Sequence, residues 1–375
     1  MRFIHTADWQ IGMKAAHVGA VGGRIREARL EAAREVIEAA EAHSAEFILV
    51  AGDTFEDNAI DRVLVQKVAD ILAKSPVPVY IIPGNHDPLL PGSVWDHPAW
   101  GEQKNLRVLK APEPFEIPGG TLCPCPILEK HSRKDPTAWI DATQRDGLKI
   151  GMAHGTVEGM PQVAPDHPIP RDAAPRTGLD YLALGHWHST ASYEDPAGAV
   201  RMAYSGTHET TRFGERDSGN VLVVEIPSAG VPPTITPIRT GNLAWLTLDQ
   251  EIGQEGDLAR VRSLVEQAEN PGKTLIEVRL SGLLPGSIGP ELGRLKEVLE
   301  SRFLYHRLDT DGLRPAPEDE TWLQGLPQGV LREAALQLRE LAAAEQATAS
   351  PPEASPRIAA QALMELYALV QGTES

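Results

Sequence analysis

Arg2-Phe3-Ile4-His5-Thr6-Ala7 runs into Asp8, so a largely apolar run stops on a residue able to hold a metal ion. The same pattern recurs four times. Residues 47–52 run into Asp53, and residues 77–83 run into Gly84-Asn85-His86-Asp87. Residues 148–153 run into His154, and residues 181–185 run into His186-Trp187-His188. Short runs of this kind, separated by helical patterns, are expected to be buried strands of a layered α/β sheet. Ligands gather at the carboxyl ends of the strands in such sheets. Five distant segments are therefore expected to deliver carboxylates, an amide and imidazoles to one place. A single Asp after a strand is usually a turn residue or a helix cap, and a single His is usually structural. Five in phase at the same strand end have no comparable structural account.

The set Asp8, Asp53, Asn85, His154, His186 and His188 mixes oxygen and nitrogen donors without thiolate. That favours manganese, iron, zinc or magnesium over soft metals. It is too large for one ion with open positions. Two divalent ions sharing Asp53 as a bridging carboxylate are the economical solution. Two ions about 3.5–4 Å apart can activate a water and hold both oxygens of an in-line displacement at phosphorus, which is phosphoester hydrolysis.

With 375 residues the chain has room for two or three domains. Its net charge of −17 argues against non-specific polyanion binding by the whole surface. A local basic track remains compatible with it, and bound divalent ions add positive charge. The two cysteines, Cys123 and Cys125, are spaced for neither a mutual disulfide nor a full zinc set. Met1 leads straight into the first strand and no apolar run spans a bilayer, so a cytoplasmic protein without membrane contact is expected.

Residues 24–43 and 61–74 have the apolar stripe of amphipathic helices, with Asp61 as an N-cap. Residues 135–145 read as a shorter helix. The Pro-rich stretch 156–178 is either a surface loop or a wall of the site. Strand patterns follow at 200–205, 220–227 and 237–238. Residues 243–308 then read as a β-α-β-α-β module, ended by a Pro- and acid-rich stretch at 314–319. Two helices, 330–345 with a stripe through Val330, Ala334, Leu338 and Leu341, and 357–370, flank a linker at 349–356. The expected organisation is a catalytic domain (1–240), a small α/β cap or DNA-binding module (241–314) and a helical tail (315–375).

Five of these motifs, His5-Thr6-Ala7-Asp8-Trp9-Gln10-Ile11-Gly12, Gly52-Asp53-Thr54-Phe55-Glu56, Gly84-Asn85-His86-Asp87, Ala153-His154-Gly155 and Gly185-His186-Trp187-His188, resemble in order those of the calcineurin-like metallophosphoesterases. Within them the chain is most similar to the SbcD-type nucleases of DNA double-strand-break repair, whose signature the stretch from Tyr204 to Glu215 also resembles. The resemblance implies a layered β-sandwich flanked by helices, and a two-metal DNA nuclease that favours manganese. It implies that Asp8, Gln10, Asp53 and His188 hold one ion, and that Asp53, Asn85, His154 and His186 hold the other. His86 would sit by the scissile phosphate with Asp87 orienting it. It also implies an SbcC-like ATPase partner on the C-terminal helices and a homodimer. Gln10 stands where the family pattern has His, so the first ion is expected to be held more loosely. Glu56 stands where the subgroup carries Asp.

Arg24, Arg26 and Arg212 follow strand ends and could position phosphates of DNA. Arginines on an amphipathic helix are equally its ordinary solvated face. The tail could dock on a partner helix or fold back on this chain. Two rivals stay open: a small-molecule phosphodiesterase or nucleotidase, and a DNA-end-binding scaffold with degraded activity.

Overall fold

A computed structural model describes residues 1–160, 164–195, 197–253, 256–284, 289–315, 321–343 and 356–372. The chain divides into two compact units, Met1–Ala244 and Trp245–Ser375.

In the first unit two six-stranded sheets lie face to face. One has the spatial order Thr234–Arg239, Asn220–Glu225, Arg2–Thr6, Ile48–Ala51, Val79–Ile82, Leu106–Val108. The other runs Phe115–Ile117, Gly120–Pro124, Leu148–His154, Tyr181–Gly185, Val200–Tyr204, Ala191–Glu194. Strand alternation divides the side chains between layers. Phe3, Leu49, Ile82, Ile150, Ala183 and Leu222 fill the core between the sheets. Ile4, Ile48, Val50 and Ile81 face the helices Gly22–Ala42 and Arg62–Leu72. The result is the expected mixed α/β fold, sheets flanked by helices.

The strands that carry the site are parallel within each sheet. Ile4, His5 and Thr6 register with Ile48, Leu49 and Val50, which register in turn with Val79, Tyr80 and Ile81. His154 registers with Gly185 in the second sheet. Their carboxyl ends therefore coincide, and the two sheets approach closely there. A Cβ on Gly52, whose φ is +92°, would lie 2.3 Å from His154 Nδ1. A Cβ on Gly84 would lie 2.1 Å from Asp53 Oδ1. Only glycine lets these backbones approach the site so closely.

Two local expectations are corrected, and a third is refined. Residues 135–145 form turns rather than a helix. Asp135 accepts from Thr137 N (2.8 Å) and Asp141 from Thr143 N (3.3 Å), so two Asx turns compete successfully with helical bonding. The Pro-rich stretch holds a helix at Ala173–Thr177 and a bridge between Val157 and Ile169. The stripe of the helix, which is described over Val330–Ala343, is shifted: Ala335 is buried and Leu338 packs beside it, while Val330 and Leu341 are exposed.

The second unit holds a three-stranded sheet of Ala244–Ile252, Thr274–Leu284 and Tyr305–Pro315, the last two parallel. Helices Asp257–Glu266 and Gly289–Arg302 share its core of Ile252, Val261, Ile276, Val278, Leu295 and Leu299. Farther along the chain, Thr321–Gly325, Val330–Ala343 and Pro356–Gly372 pack on one another through Leu323, Ala335 and Leu363. Most of the acid-rich stretch 314–319 and of the linker 349–356 lies outside the described residues.

Candidate metal centre

Asp8 and Asp53 follow the first two strands in left-handed turns, with φ of 55° and 51°. Gln10 (φ 41°) and His186 (φ 109°) share this unusual backbone. Such residues cost on the order of 1–3 kcal/mol each and persist only where their surroundings hold them. Here those restraints are visible. Asp8 N donates to Gly52 O (3.1 Å), and Gln10 N donates to Asp53 O (2.9 Å). Both carboxylate oxygens of Asp8 accept from His186 N, at 2.9 and 3.0 Å. Asp53 Oδ1 accepts from His86 N at 2.9 Å.

The donors converge. Ligand atoms of Asp8, Asp53 and His154, all buried, lie within 4.8 Å of one another. His154 Nδ1 donates to Ala51 O at 2.9 Å, which turns Nε2 to the centre. That Nε2 is 2.8 Å from Asn85 Oδ1 and 3.4 Å from Asp53 Oδ1. His186 Nδ1 is 2.9 Å from the same Asn85 oxygen. His188 Nδ1 lies 2.7 Å from Glu215 Oε1 and 3.3 Å from Thr211 Oγ1, which leaves its Nε2 unengaged by them.

The electrostatics fit a cation. Burial, with the neighbouring Asp53 charge adding to it, pushes Asp8 up to about 6 against the pull of His154 and His188. Burial would raise Asp53 too, but the charge and hydrogen bond of His154 hold it below the usual carboxylate range. His154 moves the other way: Asp53 outweighs its burial and raises it. Burial and the His154 charge bring His186 down to about 4, in its neutral, ligating form. Two buried carboxylates balanced by a shared imidazole proton suit replacement of that proton by a divalent ion. The carboxylate, amide and imidazole donors fit a hard or borderline metal.

The role expected of Asp87 is corrected. Its Oδ1 accepts from Gly84 N (2.7 Å) and its Oδ2 from Phe55 N (2.9 Å), so it ties two site loops together. His86 is oriented instead by Glu56, whose carbonyl lies 2.9 Å from Nδ1. A backbone carbonyl does this work, so it does not depend on the side chain at position 56.

Arg29 escapes a sequence reading. It is 1 % exposed and donates to Trp9 O (2.8 Å), Asp8 O (3.3 Å), Glu209 O (2.7 Å) and Thr207 Oγ1 (3.1 Å). The Asp8 turn is thereby clamped to the 207–215 segment that supplies Glu215. Arg24 pairs with Glu27 (3.2 Å) and Glu31 (3.0 Å) on its own helix, and Arg26 donates to Lys14 O (2.9 Å). Arg212 lies at the site, its Nε 3.6 Å from Glu215 Oε1.

Two open grooves meet at His186. One, of 460 Å³, is lined by Trp187, His188, Arg212 and Phe213. The other, of 560 Å³, is lined by Asn85, His131, Arg133 and Asp166. Part of the Pro-rich stretch is thus a wall of the site. Among the described residues no helix is long and apolar enough to cross a membrane.

Residues 1–190 match the family described as calcineurin-like phosphoesterase. A metallophosphoesterase of Bacillus subtilis (strain 168), YhaO, described as uncharacterized, is 25 % identical over 280 residues, 71 % of this chain and 67 % of the relative. The structure of TT1561 of Thermus thermophilus aligns with a TM-score of 0.42 at 10 % identity, over 64 % of this chain and 98 % of that one. A dimetal phosphatase from Danio rerio aligns with a TM-score of 0.41 at 12 % identity, over 63 % and 98 %.

Proposed function

The chain belongs to the calcineurin-like phosphoesterase family of metal-dependent phosphoester hydrolases, and on that premise we propose that it is a two-metal DNA phosphodiesterase that favours manganese. The observation that carries the reading is the open floor of the centre. His186 and His188 line one open groove, and Asn85 and His186 line a second. Such a floor accepts a chain passing across it, whereas a small-molecule site encloses most of its ligand.

Asp8, Gln10, Asp53 and His188 would hold one ion, and Asp53, Asn85, His154 and His186 the other. When bound, the ions supply activation of the attacking water and charge stabilisation at the phosphoryl oxygens. The protein's own residues do the rest. Glu56 fixes the His86 ring through Nδ1, so Nε2 is the nitrogen left to give a proton to the departing alkoxide. Glu215 and Ala51 fix His188 and His154 in the tautomers that leave Nε2 for a ligand. Arg29 donates to the main-chain carbonyl of Asp8 and so supports its left-handed turn.

The resemblance to SbcD-type nucleases supports a role in DNA end processing with an SbcC-like ATPase, as a homodimer. Val330, Leu331, Ile358 and Leu369 remain exposed on the C-terminal helices and support docking there. Pure protein with manganese, a labelled duplex and a panel of nucleotides tests the reading. Degradation of the duplex is expected. Turnover of nucleotides alone would replace it by a small-molecule activity, and DNA binding without turnover would replace it by a scaffold. Removal of residues 327–375 should abolish co-purification with the ATPase and leave hydrolysis intact.

A further inference from the structure

The two grooves that meet at His186 differ in chemistry. The first is aromatic, with Trp187 and Phe213 in its wall, and its cation Arg212 already neighbours Glu215. The second is walled by the segment 131–133, which is fastened to the segment 164–167. Asp166 Oδ1 accepts from Ser132 N at 3.0 Å, and Oδ2 lies 2.8 Å from His131 Nδ1. His167 N donates to Ser132 O at 2.9 Å. Three bonds therefore fix the backbone on which Arg133 stands. His131 engages Asp166 through Nδ1, so it belongs to the frame that carries Arg133. Arg133 lines this groove beside Asn85 and His186 and has no ion-pair partner among the described residues. Arg24, Arg26 and Arg212, in contrast, are each engaged by a neighbour.

An exposed, unpaired guanidinium beside two ligands of a phosphoester centre is placed to bind an anion. The chain carries a net charge of −17, so a polyanion needs local cations to approach at all. We infer that this second groove holds a phosphate adjacent to the one being cleaved, with Arg133 as its charge partner. The centre then acts on a phosphodiester inside a chain, with a phosphate on the Arg133 side and a base or other flat group on the Trp187–Phe213 side. This rests on the phosphodiesterase reading above and names the substrate features that the site selects.

The full chain with manganese is assayed on three thymidine dinucleotides: one with free ends, one with a 5′ phosphate and one with a 3′ phosphate. The wild type should prefer one phosphorylated form by about 10- to 100-fold in kcat/KM, the scale of one charge-assisted contact, with the gain in KM. Arg133→Ala should collapse that preference, and Arg133→Lys should keep part of it. Arg133 is exposed, so neither substitution threatens the fold. A wild type that cleaves all three alike, or a preference that Arg133→Ala leaves intact, overturns the inference. Cleavage of bis(p-nitrophenyl) phosphate but of no dinucleotide also overturns it and leaves the diesterase chemistry standing. A wild type that cleaves no diester at all brings down the proposed function with it.

Discussion

His188 and Glu215, 27 residues apart, meet at 2.7 Å between Nδ1 and Oε1. The same carboxylate accepts from Thr211 N at 2.7 Å, so the acid is itself held before it holds the histidine. Glu215 pulls His188 upward against its burial. The histidine is thereby made a more basic donor with a fixed tautomer.

Glu215→Ala should therefore weaken the ion proposed for Asp8 and His188 by about 10- to 100-fold, the usual cost of losing such a partner. Metal titration followed by calorimetry reads this directly. Equal affinity in wild type and variant would remove Glu215 from the site.

Asp53→Asn should eliminate most bound metal and nearly all turnover. Asp53 contacts both the His86 loop and His154, and it is the ligand proposed to be shared. Near-normal manganese-dependent turnover in this variant would end the two-ion reading.

His86→Ala should slow hydrolysis by about 100-fold or more while metal content stays near wild type. Elemental analysis alongside kinetics separates the two effects. Loss of metal would make His86 a ligand instead of a proton donor.

Gln10→His should tighten the first ion and lower the manganese needed for half-maximal rate, since imidazole is the stronger donor to a transition metal. Position 10 is buried and one residue from Trp9, whose carbonyl Arg29 holds. Two equally tight sites in the wild type, unchanged by the substitution, would show that position 10 does not tune the metal.

His5 sits between the sheets, its Nδ1 2.9 Å from the Tyr181 hydroxyl and its Nε2 3.1 Å from Leu184 O. Burial takes it from 6.5 down to about 3. The unfolded chain therefore takes up a proton first as pH falls, and the stability that His5 contributes above pH 6.5 drains away towards pH 3. The loss at pH 5 is about 2 kcal/mol. Urea unfolding of metal-free His5→Gln at pH 7 and pH 5 should show a shallower fall than the wild type. Identical slopes would show that His5 is not the group responsible.

The converging donors Asp8, Asp53, Asn85, His154 and His186 were legible because each closes a buried run, where strand periodicity and strand-end chemistry point to the same place. What helps those ligands was not. Arg29 has the sequence context of any arginine on an amphipathic helix, and only the packing of Gly22–Ala42 makes it the buried one. Glu215 is an acid in a loop, and its signal was a motif resemblance without a role attached. Asp87 does not take its expected task because a backbone carbonyl, that of Glu56 and invisible to residue type, holds His86. The turns at 135–145 had helical spacing of apolar residues. Asp135 and Asp141 overrode that spacing through bonds that span two residues.

The bond between Arg29 and the Glu209 carbonyl joins residues 180 apart, and Asp8 meets His186 N across 178. During synthesis the first strand and its aspartate emerge long before the groups that hold that aspartate in place. A nascent chain that ends short of residue 209 has the Asp8 turn without the clamp that stabilises it. The Asp8 turn thus gains its full set of bonds only once the chain has reached residue 209. A chain truncated before this segment would lack the carbonyl that Arg29 holds and the Glu215 that holds His188.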